Sequence, residues 1–479
     1  MRHLLSSLFI TVLLLGTAVF AADAFEAEGY NTPDSWSMQT TPGQFKQSMT
    51  GVGLTKDSRL YMTLTTRLRL KSDEYADDQD IYQYIRLHTD SVKLGNGTMK
   101  VAAFGRFAKD INGDSDKEWS DKYFYSQRGI LDTEEDMNDF APRLYHGYVQ
   151  LDGVVKNTKA NIGRFYLEHL NSFQLDGADV TAKINDMFSV YAYGGRPVSY
   201  YYDLDSDSVV GGGAVFNYKG RTKVEAEYAS LDVQDIDDDY SKFRVVQFIP
   251  GGSLVAGYTV LNDAGTVNLD LDYEFAKTGT IVTLGYEGMN DTVDSDKTYV
   301  VNPLTYTLLP QSKYNKYSAS VYQAFAKYFA AGFSYETKNV DGNENFDNRD
   351  FDKYGVKFDI NGLPHPDTYI SLTADKWDVN STNGNSDDNR VMYGCQVGQK
   401  VTEKVDVWAG SSFGRYEYDY TTDKRKDSVR SYYVGGQYQP LETVSLMLDL
   451  SREDTDFYDD VDSDLSKNYM VELWASIAF

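Results

Sequence analysis

The chain finishes on Val471-Glu472-Leu473-Trp474-Ala475-Ser476-Ile477-Ala478-Phe479, and the reading of this stretch decides the fold. Val471, Leu473, Ala475, Ile477 and Phe479 alternate with Glu472, Trp474 and Ser476. Successive strand side chains point to opposite faces, so the stretch presents one apolar wall and one mixed wall. The same period recurs upstream. Leu60, Met62, Leu64, Leu68 and Leu70 oppose Tyr61, Thr63, Thr65, Arg67 and Arg69. Val267, Leu269, Leu271, Tyr273 and Phe275 oppose Asn268, Asp270, Asp272 and Glu274, and Tyr354, Val356, Phe358 and Ile360 oppose Lys353, Lys357 and Asp359. Such segments run to about 9–12 residues, enough to cross a bilayer at a tilt, whereas strands of water-soluble proteins average about 5–6.

Composition agrees. The 479 residues include 39 Tyr and 38 Gly against 10 Pro and 1 Cys, and mean hydropathy is -0.48. Tyrosine suits strands and membrane–water interfaces, where its ring sits in apolar surroundings and its hydroxyl stays wet. After the N-terminus no run of about 18 apolar residues appears, which excludes spanning helices. Met1-Arg2-His3 followed by an apolar run from Leu4 to Phe20 and small residues reads as a secretory signal over 1–21, cut after Ala21 or Ala24. A formal net charge of -26 repels nucleic acid. The single Cys395 makes no internal disulfide, and the absence of a CxxCH sequence leaves no covalent haem attachment; neither a cofactor nor a metal is called for.

Connections alternate between short and long. Leu94-Gly95-Asn96-Gly97, Lys219-Gly220-Arg221, Pro250-Gly251-Gly252, Lys277-Thr278-Gly279 and Pro440-Leu441-Glu442 are tight, and their glycines supply the positive φ that hairpins require. The others, at 71–80, 110–141, 232–240, 290–314, 338–351, 378–389, 420–428 and 453–466, are polar and acidic. Short turns on one side and long loops on the other predict an all-β, antiparallel up-and-down transmembrane barrel over 58–479. Its strands number about 22, an even count between roughly 18 and 24, with both ends at the periplasmic rim. Residues 22–57 read as an extended N-terminal segment, either a tail or a partial plug, and 110–141 as a loop able to fold inward as a constriction.

A terminal aromatic residue in an alternating strand, here Phe479 with Val471, Leu473 and Ile477, resembles the signal that barrel-assembly machinery reads in outer-membrane proteins. From residue 58 onward the chain resembles the Gram-negative outer-membrane porin superfamily. Arg143-Leu144-Tyr145-His146-Gly147-Tyr148-Val149, Gly163-Arg164-Phe165-Tyr166-Leu167 and Gly194-Gly195-Arg196-Pro197-Val198 are similar to stretches of large porin-like proteins of sulfate- and metal-reducing bacteria. The resemblance implies an outer-membrane location, with lipid and lipopolysaccharide outside and small solutes inside. It also implies an alternative to passive diffusion: a barrel sheath around a multihaem cytochrome that carries electrons across the membrane.

A pore acts through side chains that line its lumen. Arg67, Arg69, Arg106, Arg143, Arg164 and Arg196 lie in or beside strands of the N-terminal half, and Glu225, Glu227, Asp270, Asp272 and Glu274 lie on polar faces farther along. The expectation is an arginine-rich wall facing an acidic one, with a transverse field that sorts solutes by charge and dipole. Acids at 235, 237–239, 291, 294 and 296 lack the spacing of a calcium loop. Enzymatic readings find no anchor. A histidine of the outer-membrane phospholipase type needs a serine two residues on, whereas His88, His146 and His169 have Asp90, Tyr148 and Asn171 there.

Overall fold

The period-two segments become one continuous hydrogen-bonded ladder in the computed structural model. It describes residues 51–479 except 56–57, 73–76, 112–140, 171–172, 199–206, 234–235, 262–263, 292–312, 326, 342–348, 380–387, 420–423 and 457–464. The expected signal segment, most of the N-terminal segment and nearly all of 110–141 therefore lie outside the described residues.

The strands are β1 (Val52–Thr55), β2 (Ser58–Ser72), β3 (Asp77–Thr89), β4 (Val92–Leu94), β5 (Gly97–Asp110) and β6 (Ala141–Asp152). Next come β7 (Thr158–Tyr166), β8 (Gln174–Lys183), β9 (Phe188–Pro197), β10 (Ser208–Tyr218), β11 (Thr222–Val233) and β12 (Ile236–Ile249). They are followed by β13 (Gly252–Leu261), β14 (Ala264–Phe275), β15 (Thr280–Met289), β16 (Lys313–Ala324), β17 (Phe329–Asp341) and β18 (Phe351–Asn361). The last six are β19 (Thr368–Val379), β20 (Asp388–Thr402), β21 (Val405–Asp419), β22 (Lys424–Leu441), β23 (Val444–Asp456) and β24 (Leu465–Ala478). Of these 24, β1 and β4 are short pieces paired to β2 and β5, and the other 22 form the wall. Each wall strand pairs antiparallel with the next, and β24 pairs with β2 from Thr63↔Ala478 to Ser72↔Tyr469. Phe479 donates its N–H to the Met62 carbonyl at 2.9 Å, so the terminal aromatic sits at the closing seam. The wall is a closed 22-strand antiparallel barrel with no free edge.

Alternation sets the two surfaces. Leu254, Leu269, Leu284, Val321, Phe333, Val356 and Val434 stand exposed on the outer face, and this all-round apolar exterior is a surface made for lipid. Inward positions carry the charge. Short turns gather at the rim that holds both strand ends, where Gly220 and Gly251 take φ of 67° and 91°. At the opposite rim the ladder runs farther than the sequence suggested. The expected loop at 232–240 narrows to residues 234–235, because Asp232↔Asp237 and Val233↔Ile236 continue the β11–β12 pairing. Strands that emerge from the bilayer are wet on both faces, so they lose the apolar alternation while keeping their backbone bonds. Asp237, Asp238 and Asp239 thus belong to β12, and Asp239 accepts a bond from the Tyr228 hydroxyl at 2.5 Å.

Candidate functional site

The inner wall has three sectors. In the first, on β2, β3 and β5, Arg67, Arg69 and Arg106 surround the Tyr82 ring at 5.2, 5.3 and 5.3 Å. Arg67 also lies over Trp474 at 4.8 Å and pairs with Glu472 at 2.5 Å. Arg69 pairs with Asp80, which also accepts the Tyr82 hydroxyl at 2.7 Å. Asp78, Asp80 and Asp110 bring carboxylate oxygens within 4.8 Å of one another. Arg69 and Lys71 stand 3.8 and 3.7 Å from Asp78, so the donor set is already balanced by cations and forms an ion-pair network. Arg143 faces Arg106 directly across β5–β6.

The second sector holds a feature the sequence reading missed. Between β7 and β8 the chain folds onto the inner wall, and Leu167, Leu170 and Phe173 are buried with Phe165, Leu175, Val209, Leu231 and Tyr240. The His169 ring stacks on Tyr191 with centroids 3.5 Å apart and planes 4° from parallel, and its Nδ1 lies 3.0 Å from Glu225 Oε1. The Leu170 N–H donates to Glu227 at 3.1 Å, and the Tyr193 hydroxyl donates to the same carboxylate at 2.9 Å. Lys242 stands 3.5 Å from Glu227 and 4.0 Å from Glu225. Lys159, near the short-turn end of β7, bonds Glu168 at 2.7 Å, so the segment turns back down the wall instead of rising from the rim. That bond holds the Glu168 carboxyl below its ordinary range. Leu170 adopts φ of +45°, a conformation costly for a leucine, and the surrounding contacts hold it there.

Glycine makes this packing fit. Tyr191 and Tyr193 on β9 reach across β10 toward the carboxylates of β11. A Cβ on Gly211 would stand 2.5 Å from the Tyr193 ring, and one on Gly213 would stand 2.5 Å from the Tyr191 hydroxyl. The Gly211-Gly212-Gly213 run is the bed on which the two rings lie. The recoverable signals were this run and the spacing of Leu167, Leu170 and Phe173 in the link between two strands.

The third sector, β12–β17, is wet. A recess of about 390 Å³ is lined by Lys242, Arg244, Asp270, Glu287, Lys316 and Glu336 among others. Lys316 pairs with Glu287 at 3.1 Å. Asp270, Asp272 and Glu274 share the inward face of β14 and are exposed. Acidic and cationic strands follow one another around this side of the wall: acids on β11, Lys242 and Arg244 on β12, acids on β14 and β15, and Lys316 on β16.

Two of the expected lumen arginines are elsewhere. Arg164 shares its face of β7 with exposed Ile162 and Tyr166, opposite buried Phe165, and makes a two-bond pair with Asp176 at 2.7 and 2.6 Å. Arg196 lies opposite Asp176 in register and is exposed on the face away from Tyr191 and Tyr193. Both therefore point outward near the long-link rim. Apolar residues stand on both faces around Arg164, and two glycines precede Arg196, so sequence does not fix their parity. Arg67, Arg69, Arg106, Arg143, Glu225, Glu227, Asp270, Asp272 and Glu274 all lie on inward faces.

A closed wall with a lipid-facing exterior and charged interior defines a transmembrane β-barrel. No protein-family model matches the sequence, and no curated protein does. Solved barrels are similar in outline. Pseudomonas aeruginosa OccK5 (OpdH) has a TM-score of 0.47 at 9% identity over 89% of this chain and 100% of its own. P. aeruginosa OpdK with vanillate has a TM-score of 0.43 at 12% identity over 89% and 100%. The translocation pore of the P pilus usher PapC has 0.46 at 9% over 88% and 99%. At this level of likeness nothing passes from those proteins to this chain.

Proposed function

We propose that the protein is an outer-membrane porin through which small hydrophilic solutes or ions diffuse passively, with residues 167–170 and Phe173 narrowing the lumen. The observation that supports this most is the exposed charged face of β14 beside the recess. Asp270, Asp272 and Glu274 face inward yet stay exposed, as groups lining a water-filled passage do. Wide barrels of about 22 strands are commonly filled in part, and a wall segment folded inward answers that need. The same segment takes up part of the lumen that a cytochrome would have to fill, so the channel is preferred to the conduit sheath. No catalytic role is assigned to any inward group; their charges act on passing solutes through the field they set up.

The test is reconstitution of purified protein into planar bilayers. Stepwise conductance is expected, with an ion preference set by the β14 acids. A membrane that stays silent while the protein is folded and inserted would overturn the reading.

A further inference from the structure

We infer that the outward face of β21–β24, at the long-link rim, is a docking surface for phosphate-bearing lipid headgroups of the outer leaflet. This rests on the outer-membrane reading above. On four neighbouring strands the outward row changes from apolar to cationic near the long-link rim, the first cation of each strand lying one outward position from that of the next. Phe413 is followed outward by Arg415, Tyr432 by Arg430, Leu450 by Arg452 and Tyr469 by Lys467, and Lys426 lies beyond Arg430. Register makes them neighbours: Arg430 stands opposite Phe413, and Arg452 stands between Tyr432 and Tyr469. Arg430 lies 5.7 Å over the Phe413 ring and Arg452 lies 5.6 Å over Tyr469. The side chains of Arg415, Lys426 and Arg452 are 48%, 50% and 41% exposed.

Carboxylates steady this row without cancelling it. Glu417 pairs with Arg415 and, at 3.4 Å, with Lys426, and Asp454 pairs with Arg452 at 2.7 Å. Among the described outward positions of this patch, five cations stand against the three carboxylates Glu417, Asp454 and Asp456. The chain as a whole has a charge of -26, so a positive excess here runs against its composition. Elsewhere on that rim the outward charge differs. β11 and β12 present Asp232, Asp237 and Asp239, and on β16 Lys313 is paired one-to-one with Asp341 at 2.6 Å.

Aromatic rings mark the level at which hydrocarbon gives way to headgroups, and guanidinium groups just beyond them meet phosphate at its own depth. The row continues an apolar face that already meets lipid, so its occupant is a lipid headgroup.

Native mass spectrometry of the full protein, extracted in a non-ionic detergent, tests this. The probes are a bis-phosphorylated glucosamine lipid, the same lipid with its phosphates removed, and phosphatidylethanolamine. The phosphorylated lipid should be retained about tenfold better than its dephosphorylated form. An Arg415→Gln/Arg430→Gln/Arg452→Gln variant should lose that preference, whereas Lys313→Gln and Arg430→Lys should keep it. Equal retention of the two glucosamine lipids by the native protein, or an unchanged preference in the triple variant, overturns the proposal. If the triple variant lacks the heat-resistant folded band on a gel, the single variants Arg430→Gln and Arg452→Gln carry the test; each is then expected to weaken the preference severalfold, and no weakening in either is the refuting result. No conductance is measured, so failure here leaves the channel reading standing. Equally, a silent bilayer would leave the lipid preference intact.

Discussion

The wall of β7–β12 and the wall of β12–β17 are built on one backbone pattern and end in opposite states. Both alternate in and out, and both carry inward glutamates. On β11 those glutamates are buried, bonded to His169, the Leu170 N–H, Tyr193 and Lys242, and covered by an apolar cluster. On β14 the inward acids stay exposed beside a recess. The difference lies in what neighbours the acids. Glycines at 211 and 213 admit two tyrosine rings, and these offer a floor on which a returning segment packs. Among the described residues, the inward glycines of β13–β16, Gly257 and Gly285, lie beside Asn268 and Ser318 instead of a ring, and polar Lys316, Ser318 and Asn268 line the recess there. A carboxylate sealed among partners holds structure, whereas one left in water acts on solutes.

The comparison breaks most forcefully if the sealed sector is opened. Leu170→Ala with Phe173→Ala removes two buried anchors, each worth roughly 2–5 kcal/mol. The segment should leave the wall and single-channel conductance should rise severalfold. Unchanged conductance in a folded variant would mean that the segment does not limit flow. Next in size is the open sector. Reversing Asp270, Asp272 and Glu274 to Lys should move the reversal potential in a salt gradient toward anion preference; an unmoved potential would show that the β14 acids do not select. The same three changes should leave the heat resistance of the barrel nearly untouched, because exposed charges contribute about 0–1 kcal/mol.

Most of the fold was legible because strand parity is a strong signal wherever one face meets lipid. The clean alternations at 60–70, 267–275 and 471–479 gave the faces of β2, β14 and β24 as they stand. The signal fails where a strand rises above the bilayer, which is why Asp237–Asp239 read as loop and why Arg164 and Arg196 were placed inside. The site was half legible. The acids of β11 and β14 and the arginines of β2 stood out as polar faces. Leu167, His169, Leu170 and Phe173 did not, since the partners Tyr191, Tyr193 and Glu227 lie up to about 60 residues away and reach them through the pairing of β8–β11.

Smaller changes separate the bonds that hold the sealed sector. Gly213→Val should push Tyr191 off its bed and unsettle the segment, seen as more frequent current flicker. His169→Phe keeps a ring for Tyr191 and removes the bond to Glu225, a loss of about 1 kcal/mol, so flicker should rise less than with Gly213→Val. Equal flicker in the two would place the hold in that single bond. Weakest is the tie between Lys159 and Glu168. Glu168 titrates below its ordinary 4.5 because Lys159 bonds its carboxylate. A depressed carboxylate stabilises above its unfolded value and loses that contribution as pH falls through the lowered one. Flicker should therefore be flat from pH 7 to about 5 and rise only at more acid pH, and Lys159→Ala should remove Glu168's part of that rise. Comparing Lys159→Ala with His169→Phe across pH separates the Lys159–Glu168 tie from the His169–Glu225 bond. A rise already present at pH 6 in both variants would place the sensitivity outside the segment altogether, and the sealed sector would then be held by its apolar packing alone.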